Sequence, residues 1–536
     1  MKKILSSLIL SSVCAVLSAQ TPPITPAWGF RHIVWEDSIN TSISAKKIVD
    51  LYLERDIPVG SIIVDSPWSN TYNDFVWDEN RYPEASSMIK YFNDKGVRVI
   101  LWLTGNVNLK SRDTRFQKSP LLDEVIAKNY GVDNSKIYHW WKGEGIHVDF
   151  TQEEATQWWY KQLDKVFGNG VCGWKVDQGE MWLGKKVLTS KGEMSNEDFR
   201  HYYYDAMYDY TIGKDSEGMI IGRPYSHQGG YAASVEKLNM GWCGDFAGNW
   251  KGLKSQIDNI YRSALRGYGS IGCEVAGFYS ERAEAKQFAR YAQFGCMTAT
   301  MINGGENGAF SNHLPWFHGK EIEDIYRFCV TLHHQLIPYM FSTVVDAHLH
   351  GGSLLKHPSL SQESHMLGND IFTKAITSDD DIVSFSLPEE GQWIDFWTGK
   401  EYAAGTEISQ VYSISKFPLF IRSGSIIPLD INTSITGIGC EKMKDGLTLL
   451  INPNGKTSRL LHLPLGDGIE YEDCIVSFEQ EIGAFSLKRK TSQKTYVIIK
   501  NMPAVKDVKN VESWEYSNGT LSFSFSNKDA EITIGL

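Results

Sequence analysis

The chain has 536 residues, of which 42% are hydrophobic and 22% are charged, and its formal net charge is −11 at pH 7. This length exceeds what one hydrophobic core usually supports, so a single small domain is excluded and two or three domains are predicted. The acidic balance, without a long basic run, argues against nucleic acid and anionic membranes as partners and suits a neutral substrate.

The first predicted element is a secretory signal peptide at residues 1–19. Lys2 and Lys3 precede the apolar stretch 4–17, and Ala19 supplies the small residue at a cleavage point. The apolar stretch is too short to span a bilayer, and no later segment is long and apolar enough to do so. We therefore expect an exported protein, periplasmic or extracellular, with no membrane span.

From residue 20 to residue 350, apolar β-rich runs alternate with helix-like segments such as AKKIVDLYLER. This alternation predicts an α/β fold, a (β/α)8 TIM barrel in which most parallel strands are followed by a helix. The eight strand candidates are, in chain order, FRHIVW, VGSIIVD, VRVILWL, GVCGWKVD, GMIIGRP, KLNMGWCGD, YGSIGCEVAGF and MTATMING.

Polar side chains follow several of these strand candidates. Asp65, Asp177, Arg223, Asp245 and Glu274 all fall at or near strand ends, where a barrel of this kind carries its chemistry. The stretch GWKVDQGEMW places Asp177 after an apolar run, and GWCGDFAGNW repeats this pattern around Asp245. In isolation either carboxylate could equally begin a solvated loop, so the barrel position is what favours a functional interpretation.

Two carboxylates on one face of a barrel suit the cleavage of glycosides. One group protonates the departing oxygen while the other meets the oxocarbenium-like carbon. The aromatic residues around both motifs suit sugars as well, because their faces stack on the C–H side of a pyranose. The alternative is that these tryptophans are core residues, which composition alone favours.

The pattern changes near Gly351, where short alternating strands such as DIVSFSLP, LTLLINP and LSFSFS begin. Their spacing, with frequent turn residues, is typical of β-sandwiches. The predicted domains are a signal peptide (1–19), a catalytic (β/α)8 barrel (20–350), a proximal C-terminal β-sandwich (351–431) and a distal C-terminal β-sandwich (432–536).

No cofactor and no metal is predicted. The stretch GYGSIG at 267–272 matches a dinucleotide-binding pattern but leads into a strand-like run instead of a helix. Seven cysteines follow the signal peptide, none of them in a C-x-x-C pair, so most are expected to be buried thiols. The histidines in LHHQ and AHLHGG lack a partner cluster with metal-site spacing.

Six motifs between about residue 26 and residue 430 resemble, in order, those of one known family. They are the block ERDIPVGSIIVDSPWSNTYNDFVWDENRYPEASSMIKYFNDKGVRVILWL and the shorter VDFTQEEATQWW, WKVDQGE, GWCGDFAGNW, FWTGKEY and KFPLFIRSGSIIPL. Together they resemble glycoside hydrolase family 31, whose members include α-glucosidases, α-xylosidases and α-galactosidases. The resemblance implies a barrel followed directly by a β-sandwich.

The resemblance also implies roles for individual residues. Asp177, in a K-x-D-x-G-E motif, would be the nucleophile, and Asp245, in a W-x-G-D motif, would be the acid/base. Asp65 would bind remote hydroxyls of the terminal sugar, and Arg223 would lie beside the acid/base. Lys175 would contact a hydroxyl near the nucleophile and help to keep Asp177 ionised.

Candidate pocket walls and two departures from the family pattern bear on which sugar the pocket would bind. The candidate wall residues, with plain packing as the alternative, are Trp68, Trp140 and Trp242. In EVAGF, Glu274 stands in the substrate site where the family usually has aspartate. In INGGENGAFSNHLPW, Gly304 or Gly305 takes the place of a histidine that normally meets sugar hydroxyls, although His313 lies nearby.

The leading interpretation is a retaining, exo-acting α-glycosidase that hydrolyses terminal α-linked sugars of an oligosaccharide or glycoside. An α-transglycosidase of the same family and a carbohydrate-binding protein without catalysis stay open as alternatives. The pocket departures predict that α-galactosides or α-xylosides are cleaved better than α-glucosides. The sequence before the predicted barrel has no counterpart of the family's N-terminal β-sandwich. We therefore expect a substrate pocket that is more open to solvent, or one that a neighbouring subunit of a homo-oligomer closes.

Overall fold

The structure is a computed structural model that describes residues 20–37, 39–279, 283–306 and 313–536. The predicted signal peptide, residues 1–19, lies outside the described residues. Within these four ranges, no helix is both long and apolar enough to cross a membrane. The same ranges hold no group of His, Cys, Asp and Glu side chains arranged like a metal site.

Eight parallel strands form a closed barrel, and all eight coincide with the predicted runs. They are β1 (Ile33–Asp37), β2 (Ser61–Val64), β3 (Arg98–Leu103), β4 (Val171–Val176), β5 (Met219–Gly222), β6 (Met240–Trp242), β7 (Ile271–Val275) and β8 (Met301–Glu306). Each strand pairs with its neighbours in the sequence, and β1 pairs with β8 to close the ring. The predicted α/β barrel is therefore confirmed.

Eight helices accompany the barrel in the described ranges, counting those of eight residues or more. They are α1 (Ser42–Leu53), α2 (Ala85–Asn93), α3 (Glu153–Leu163), α4 (Asn196–Lys214), α5 (Trp250–Arg266), α6 (Ala285–Gly295), α7 (Lys320–Gln335) and α8 (Ile337–His350). A 3-10 turn, Val235–Lys237, stands between β5 and β6 in place of an α-helix. Helix α5 shows why such segments form: the Asn249 side chain caps its first turn, and Gly267, with φ of 103°, ends it.

Shorter elements decorate the loops between the barrel strands. A three-stranded sheet of Asn106–Ser111, Gly143–His147 and Tyr138–Trp140 follows β3, and the hairpin Lys186–Thr189/Gly192–Ser195 follows β4. The other short elements between barrel strands are the strands Tyr225–Ser226 and Gly230–Tyr231, the helices Leu122–Ala127 and Val132–Ser135, and the 3-10 turn Glu180–Trp182. Three further 3-10 turns lie elsewhere: Ala27–Phe30 before β1, Pro315–His318 after β8, and Glu441–Met443 in the C-terminal part. The loops after β3 and β4 supply much of the pocket described below.

The part of the chain after α8 consists of β-sheets, as predicted. A six-stranded sheet comprises Leu355–Ser359, Ser364–Leu367, Ile371–Lys374, Leu419–Arg422, Gln392–Asp395 and Glu401–Ala403, accompanied by the pair Ile382–Ser386 and Glu407–Val411. One five-stranded sheet comprises Ser425–Leu429, Leu447–Asn452, Thr495–Ile499, Thr520–Phe525 and Ser513–Ser517. The other comprises Lys456–Pro464, Tyr471–Glu479, Ala484–Lys488, Asp529–Gly535 and Asp507–Lys509.

Two hydrophobic cores hold these layers together. The larger core runs through the barrel into the six-stranded sheet, and the smaller one lies between the two five-stranded sheets. Strand Ser425–Leu429 pairs with Leu447–Asn452 in the first five-stranded sheet. The domain limits at 350/351 and 431/432 stay predictions. Arg31, before β1, forms a salt bridge of 2.5 Å with Asp467, so the distal sheets also contact the barrel.

Candidate active site

A cavity of about 480 Å³ opens at the C-terminal ends of the barrel strands. Five of the predicted site residues line it, namely Asp65, Lys175, Asp177, Arg223 and Asp245. They come from the ends of β2, β4, β5 and β6, which are far apart in sequence. The barrel therefore brings together side chains that the sequence separates by up to 180 residues, as expected for the catalytic face of this fold.

Asp177 follows β4 and is held by three donors. Its Oδ2 accepts a hydrogen bond of 3.0 Å from Trp102 Nε1, and its Oδ1 accepts one of 2.7 Å from the backbone N–H of Gln178. The guanidinium of Arg223 donates to Oδ1 at 2.9 Å. Burial opposes ionisation, but the charges of Arg223 and Lys175 outweigh it and lower the pKa of Asp177. The group is therefore a fixed carboxylate.

Asp245 lies across the same guanidinium. A single nitrogen of Arg223 lies 2.9 Å from Asp177 Oδ1 and 3.9 Å from Asp245 Oδ1. The two carboxylate oxygens can be no further apart than these two distances combined. That limit is compatible with the separation of about 5–5.5 Å between the carboxyl groups of retaining glycosidases.

The surroundings of Asp245 favour its protonated form. Desolvation in the cavity raises the pKa of Asp245 to about 6, and the negative charge of Asp177 acts in the same direction against the opposing effect of Arg223. The Asp245 side chain is 25% exposed, so a proton can pass between it and a bound ligand. Below about pH 6 the site thus contains one carboxylate, Asp177, and one carboxylic acid, Asp245.

Lys175 and Asp65 form a buried ion pair in the wall of the cavity. Lys175 Nζ lies 2.8 Å from Asp65 Oδ2, and both side chains are only 3% exposed. The ammonium also lies 3.1 Å from the ring centroid of Trp35 and 4.4 Å from that of Trp242. These cation–π contacts and the ion pair fix Lys175 in place, so it presents a rigid charge to the cavity.

Glu274, on β7, lies behind the cavity wall and does not line it. Its Oε1 accepts a hydrogen bond of 3.1 Å from Trp242 Nε1. Burial, reinforced by the charge of Asp245, raises the pKa of Glu274 well above its ordinary value, so its surroundings favour the neutral form. It contacts the site through Trp242, whose ring also lies 4.0 Å from the guanidinium carbon of Arg223.

The three tryptophans predicted as walls are packed behind the cavity. Trp68 donates to the carbonyl oxygen of Trp102 at 2.7 Å, Trp140 donates to Asn108 Oδ1 at 2.9 Å, and Trp242 donates to Glu274. Each buries its N–H on a protein acceptor and is at most 1% exposed, so plain packing describes them. The tryptophans that line the cavity are Trp35, Trp102, Trp141 and Trp182.

Sequence reasoning missed these four lining tryptophans, although partial signals were present. Trp102 is the next-to-last residue of β3 and Trp141 directly follows Trp140. Because successive residues of a strand point to opposite faces, one of two adjacent tryptophans faces inward, but the sequence does not say which. Trp182 sits on the 3-10 turn after Asp177, and no periodic pattern predicts its direction.

Comparison with known proteins identifies the family. The sequence model of the glycosyl hydrolases family 31 TIM-barrel domain matches residues 22–343. The chain belongs to glycosyl hydrolase family 31. The model of the family 31 C-terminal domain matches residues 343–427, and the resemblance seen in the sequence is confirmed.

Individual relatives in family 31 are distant. An α-xylosidase of Emericella nidulans is 25% identical over 464 residues, which is 80% of this chain and 56% of the relative. The chain thus spans about half the length of this curated relative. The solved dextranase of Flavobacterium johnsoniae, complexed with glucose, superimposes with a TM-score of 0.82 at 21% identity, covering 96% of this chain and 71% of that one. The cycloalternan-forming enzyme of Listeria monocytogenes gives 0.82 at 18% identity, covering 96% and 55%.

The structure explains one departure from the family 31 pattern. A Cβ atom added to Gly304 on β8 would lie 2.1 Å from the carbonyl oxygen of Trp35 on β1, so no side chain fits there without moving a strand. His313 does not take over the missing histidine's position, because its Nε2 lies 3.0 Å from the carbonyl oxygen of Tyr279 and its side chain is buried. The described residues that line the cavity accordingly include no histidine.

Proposed function

We propose that the protein is a retaining, exo-acting α-glycosidase with Asp177 as nucleophile and Asp245 as acid/base. The observation that carries this proposal is the arrangement of both carboxyl groups around one nitrogen of Arg223, with the pKa of Asp177 lowered and that of Asp245 raised to about 6. Two carboxyl groups in such opposite surroundings suit opposite roles. Membership of family 31 supports the assignment.

In the first step, Asp177 attacks the anomeric carbon and the glycosidic C–O bond breaks. Asp245 gives its proton to the departing oxygen, so the leaving group is released as a neutral alcohol. In the second step, the carboxylate of Asp245 takes a proton from water, and that water displaces Asp177 from the sugar. Two inversions at the same carbon retain its configuration.

The buried pair of Asp65 and Lys175 supports an exo-acting mode. Two charged side chains held rigidly in the cavity wall offer fixed hydrogen-bonding partners to the hydroxyls of one terminal sugar ring. Preorganised polar groups of this kind determine which sugars bind. The rest of the substrate then extends from the scissile bond toward the mouth.

The identity of the terminal sugar is a further part of the proposal. No histidine is among the described residues that line the cavity, and Glu274 is engaged with Trp242. A site that lacks one hydrogen-bonding partner binds the corresponding hydroxyl less well. We therefore expect higher kcat/KM for 4-nitrophenyl α-galactoside or α-xyloside than for the α-glucoside. A clear preference for the glucoside would contradict this expectation.

Transglycosylation is a second candidate, favoured by one observation. A structure that matches 96% of this chain belongs to a cycloalternan-forming enzyme. Both activities share the covalent intermediate and differ in whether water or a sugar hydroxyl displaces Asp177. Product analysis with a donor glycoside at increasing sugar concentration separates them: a hydrolase releases free sugar, and a transglycosidase forms longer oligosaccharides.

The test of the main proposal combines turnover and trapping. A panel of 4-nitrophenyl α-glycosides should show release of nitrophenol, and 5-fluoro α-glycosyl fluorides should leave a sugar covalently attached to the Asp177 peptide in mass mapping. A label on Glu180 would contradict the assignment. Glu180 is 2% exposed, does not line the cavity and accepts a hydrogen bond from the backbone N–H of Gly179.

We also propose that the protein is exported and acts in the periplasm or outside the cell. The basic start, apolar stretch and small residue within residues 1–19 support this, and the neutral sugar substrate suits it. N-terminal sequencing of protein from a native fraction should begin near Gln20.

We further propose that the protein forms a homo-oligomer in which a neighbouring subunit narrows the mouth of the active-site cavity. Light scattering of the purified protein tests this proposal, and a monomeric mass would contradict it.

A further inference from the structure

A cavity of about 370 Å³, which we call the intersheet cavity, lies where two of the C-terminal sheets meet. Its polar and aromatic lining residues include Asp395, Trp397, Asn452, Lys500 and Asn501. The first two belong to the six-stranded sheet and its turns, and the other three belong to the first five-stranded sheet. None of the described residues lines both this cavity and the catalytic one. The volume and the place between two units are typical of small-molecule sites.

Lys500 brings a positive charge to the intersheet cavity. Its backbone N–H donates to the carbonyl oxygen of Ile451, but its ammonium has no salt bridge and no hydrogen bond within the described ranges. Burial lowers the pKa of Lys500, and no neighbouring carboxylate opposes that shift. An ammonium that is partly removed from water without a partner is unfavourable, so a ligand that supplies a negative charge stabilises it.

Asp395 also lines the cavity, but its own turn already compensates its charge. Its Oδ1 accepts hydrogen bonds from the backbone N–H groups of Trp397 at 2.9 Å and Thr398 at 2.8 Å, and from the Thr398 hydroxyl at 2.9 Å. Its Oδ2 has no hydrogen-bond partner in the described part of the chain. Asp395 therefore leaves Lys500 unpaired and keeps one oxygen available to a hydroxyl group.

Two asparagines add further acceptors. Asn452, which is 4% exposed, donates from Nδ2 to Ser425 Oγ at 3.1 Å. Asn501 donates from Nδ2 to Glu401 Oε1 at 3.3 Å. Both side-chain carbonyl oxygens are without a partner among the described residues, and such oxygens accept hydrogen bonds from hydroxyls. The intersheet cavity thus combines one unpaired cation with three oxygen acceptors.

Trp397 supplies a fixed aromatic surface beside these polar groups. Its Nε1 donates to the carbonyl oxygen of Phe417 at 2.7 Å, and its ring packs against Phe396 and Phe328 at centroid distances of 5.0 and 5.5 Å. The indole is half-buried and lines the cavity. An apolar ring face among groups that bind hydroxyls suits the C–H side of a pyranose.

We propose that the intersheet cavity binds a sugar acid, a pyranose that carries a carboxylate. The carboxylate pairs with Lys500 Nζ, and the ring packs against Trp397. The hydroxyls donate to the free oxygens of Asp395, Asn452 and Asn501. This inference goes beyond the proposed function and does not depend on it. A uronic acid residue of a glycan has this chemistry, so the C-terminal sheets hold an acidic glycan at a point outside the catalytic cavity.

Calorimetric titration of the purified full-length protein with glucuronate and with galacturonate tests the site. At least one of the two should bind wild type in a one-to-one complex. Glucose and galactose, which lack the charge, should bind this site at least about tenfold more weakly. Inorganic phosphate should also bind more weakly, because it has no ring to pack against Trp397. Phosphate binding as tight as that of the uronates would overturn the proposal.

Three variants locate the binding. Lys500→Met should weaken uronate binding at least about tenfold, whereas Lys500→Arg keeps the charge and should stay within about threefold of wild type. Lys488→Met removes an exposed lysine of the strand Ala484–Lys488 and should bind as wild type does. Unchanged binding in Lys500→Met, or no binding of either uronate to wild type, would overturn the proposal.

Hydrolysis separates this site from the catalytic cavity. Lys500→Met should cleave 4-nitrophenyl α-glycosides at the wild-type rate, because Lys500 does not line the catalytic cavity. Loss of both uronate binding and hydrolysis in this variant would overturn a separate site. If wild-type protein cleaves none of these glycosides, the proposed function is wrong, while the uronate titrations still decide the present proposal.

Discussion

The two sides of the active site differ in how their carboxyl groups are surrounded. On the side of Asp177, every charged group has a partner: Arg223 donates to Asp177, and Lys175 pairs with Asp65. On the side of Asp245, the nearest cation within the described ranges, Arg223, is 3.9 Å away, and burial raises the pKa of the neighbouring Glu274 carboxyl. Paired charges keep the first side ionised, and desolvation raises the pKa of the carboxyl groups on the second side, to about 6 for Asp245.

This contrast shows how one barrel face can give two aspartates opposite chemistry. The sequence motifs around them are similar, an apolar strand followed by an aspartate among aromatic residues. What separates them is the reach of one arginine, which bonds directly to Asp177 and only approaches Asp245. Because the pKa difference between Asp177 and Asp245 depends on their distances from Arg223, substitution of any of these three residues should change the pH dependence or the rate of the reaction.

The largest effect is expected for Asp177→Ala, which removes the nucleophile. We expect kcat to fall by on the order of 10⁴–10⁶-fold, as for other residues that form the covalent bond. Sugar binding, measured by calorimetry, should be retained, because the other side chains that line the cavity stay in place. The melting temperature should fall, because the buried guanidinium of Arg223 loses its partner. Substantial residual turnover would show that another group attacks the sugar.

Asp245→Ala should have a smaller effect that depends on the leaving group. A dinitrophenolate departs without a proton, but an alcohol does not, so the loss in kcat/KM should be slight for the first and about 10²–10⁴-fold for natural glycosides. The measurement is a plot of log kcat/KM against leaving-group pKa, which should be steeper in the variant. Equal losses across the series would exclude Asp245 as the acid.

Arg223→Met should weaken the Asp177 side specifically. Truncation of one partner of a buried, hydrogen-bonded charge pair costs about 2–5 kcal/mol, so kcat/KM should fall on the order of 10²-fold. The pKa of Asp177 should rise, and the acidic limb of the pH–rate profile should move to higher pH. Arg262→Met removes a 43% exposed arginine paired with Asp258 and should change neither quantity. An unmoved acidic limb in Arg223→Met would contradict this role.

The pH dependence of the wild-type protein tests the Asp245 side. Because the pKa of Asp245 is raised to about 6, the acid is protonated below that pH and loses its proton above it. The kcat/KM for an alkyl glycoside should therefore decline as the pH rises through about 6, by about tenfold per unit. In Asp245→Ala with a dinitrophenyl substrate, this alkaline limb should be absent.

The smallest effect is expected for Glu274→Gln. The amide keeps a carbonyl oxygen for Trp242 Nε1, and burial already disfavours the charged form of Glu274, so kcat/KM should change within about twofold, equivalent to roughly 0.5 kcal/mol. Glu274→Leu removes the acceptor and should cost more, about fivefold. If Glu274→Gln instead shifts the alkaline limb downward, Glu274 is charged in the working enzyme and raises the pKa of Asp245.

Much of the fold was predictable because its signals are local. The runs SIIV and RVILWL are buried almost throughout, and such continuous apolar runs are typical of parallel strands covered on both faces. The family motifs added the order of the domains. The connection between β5 and β6 was harder to predict, because its 3-10 turn has no helical periodicity in the sequence.

The site was predictable only in part, because side-chain direction depends on tertiary packing. Asp65, Lys175, Asp177, Arg223 and Asp245 meet in the cavity because strand ends converge, which topology alone dictates. Whether Trp141 and Trp182 face the cavity depends on the loop conformations after β3 and β4. Their hydrogen-bond partners, such as Asn108 for Trp140, are recognisable only once the loops are folded.

Close contact between β8 and β1 constrains how this protein can change over evolutionary time. Any residue larger than glycine at position 304 would press on the backbone of Trp35, and the ring of Trp35 supports Lys175. A side chain at position 304 would therefore disturb the support of the nucleophile side unless β1 also shifted. We accordingly expect substitutions of loop residues that line the cavity to change the sugar preference with less cost to the site than substitutions on this strand.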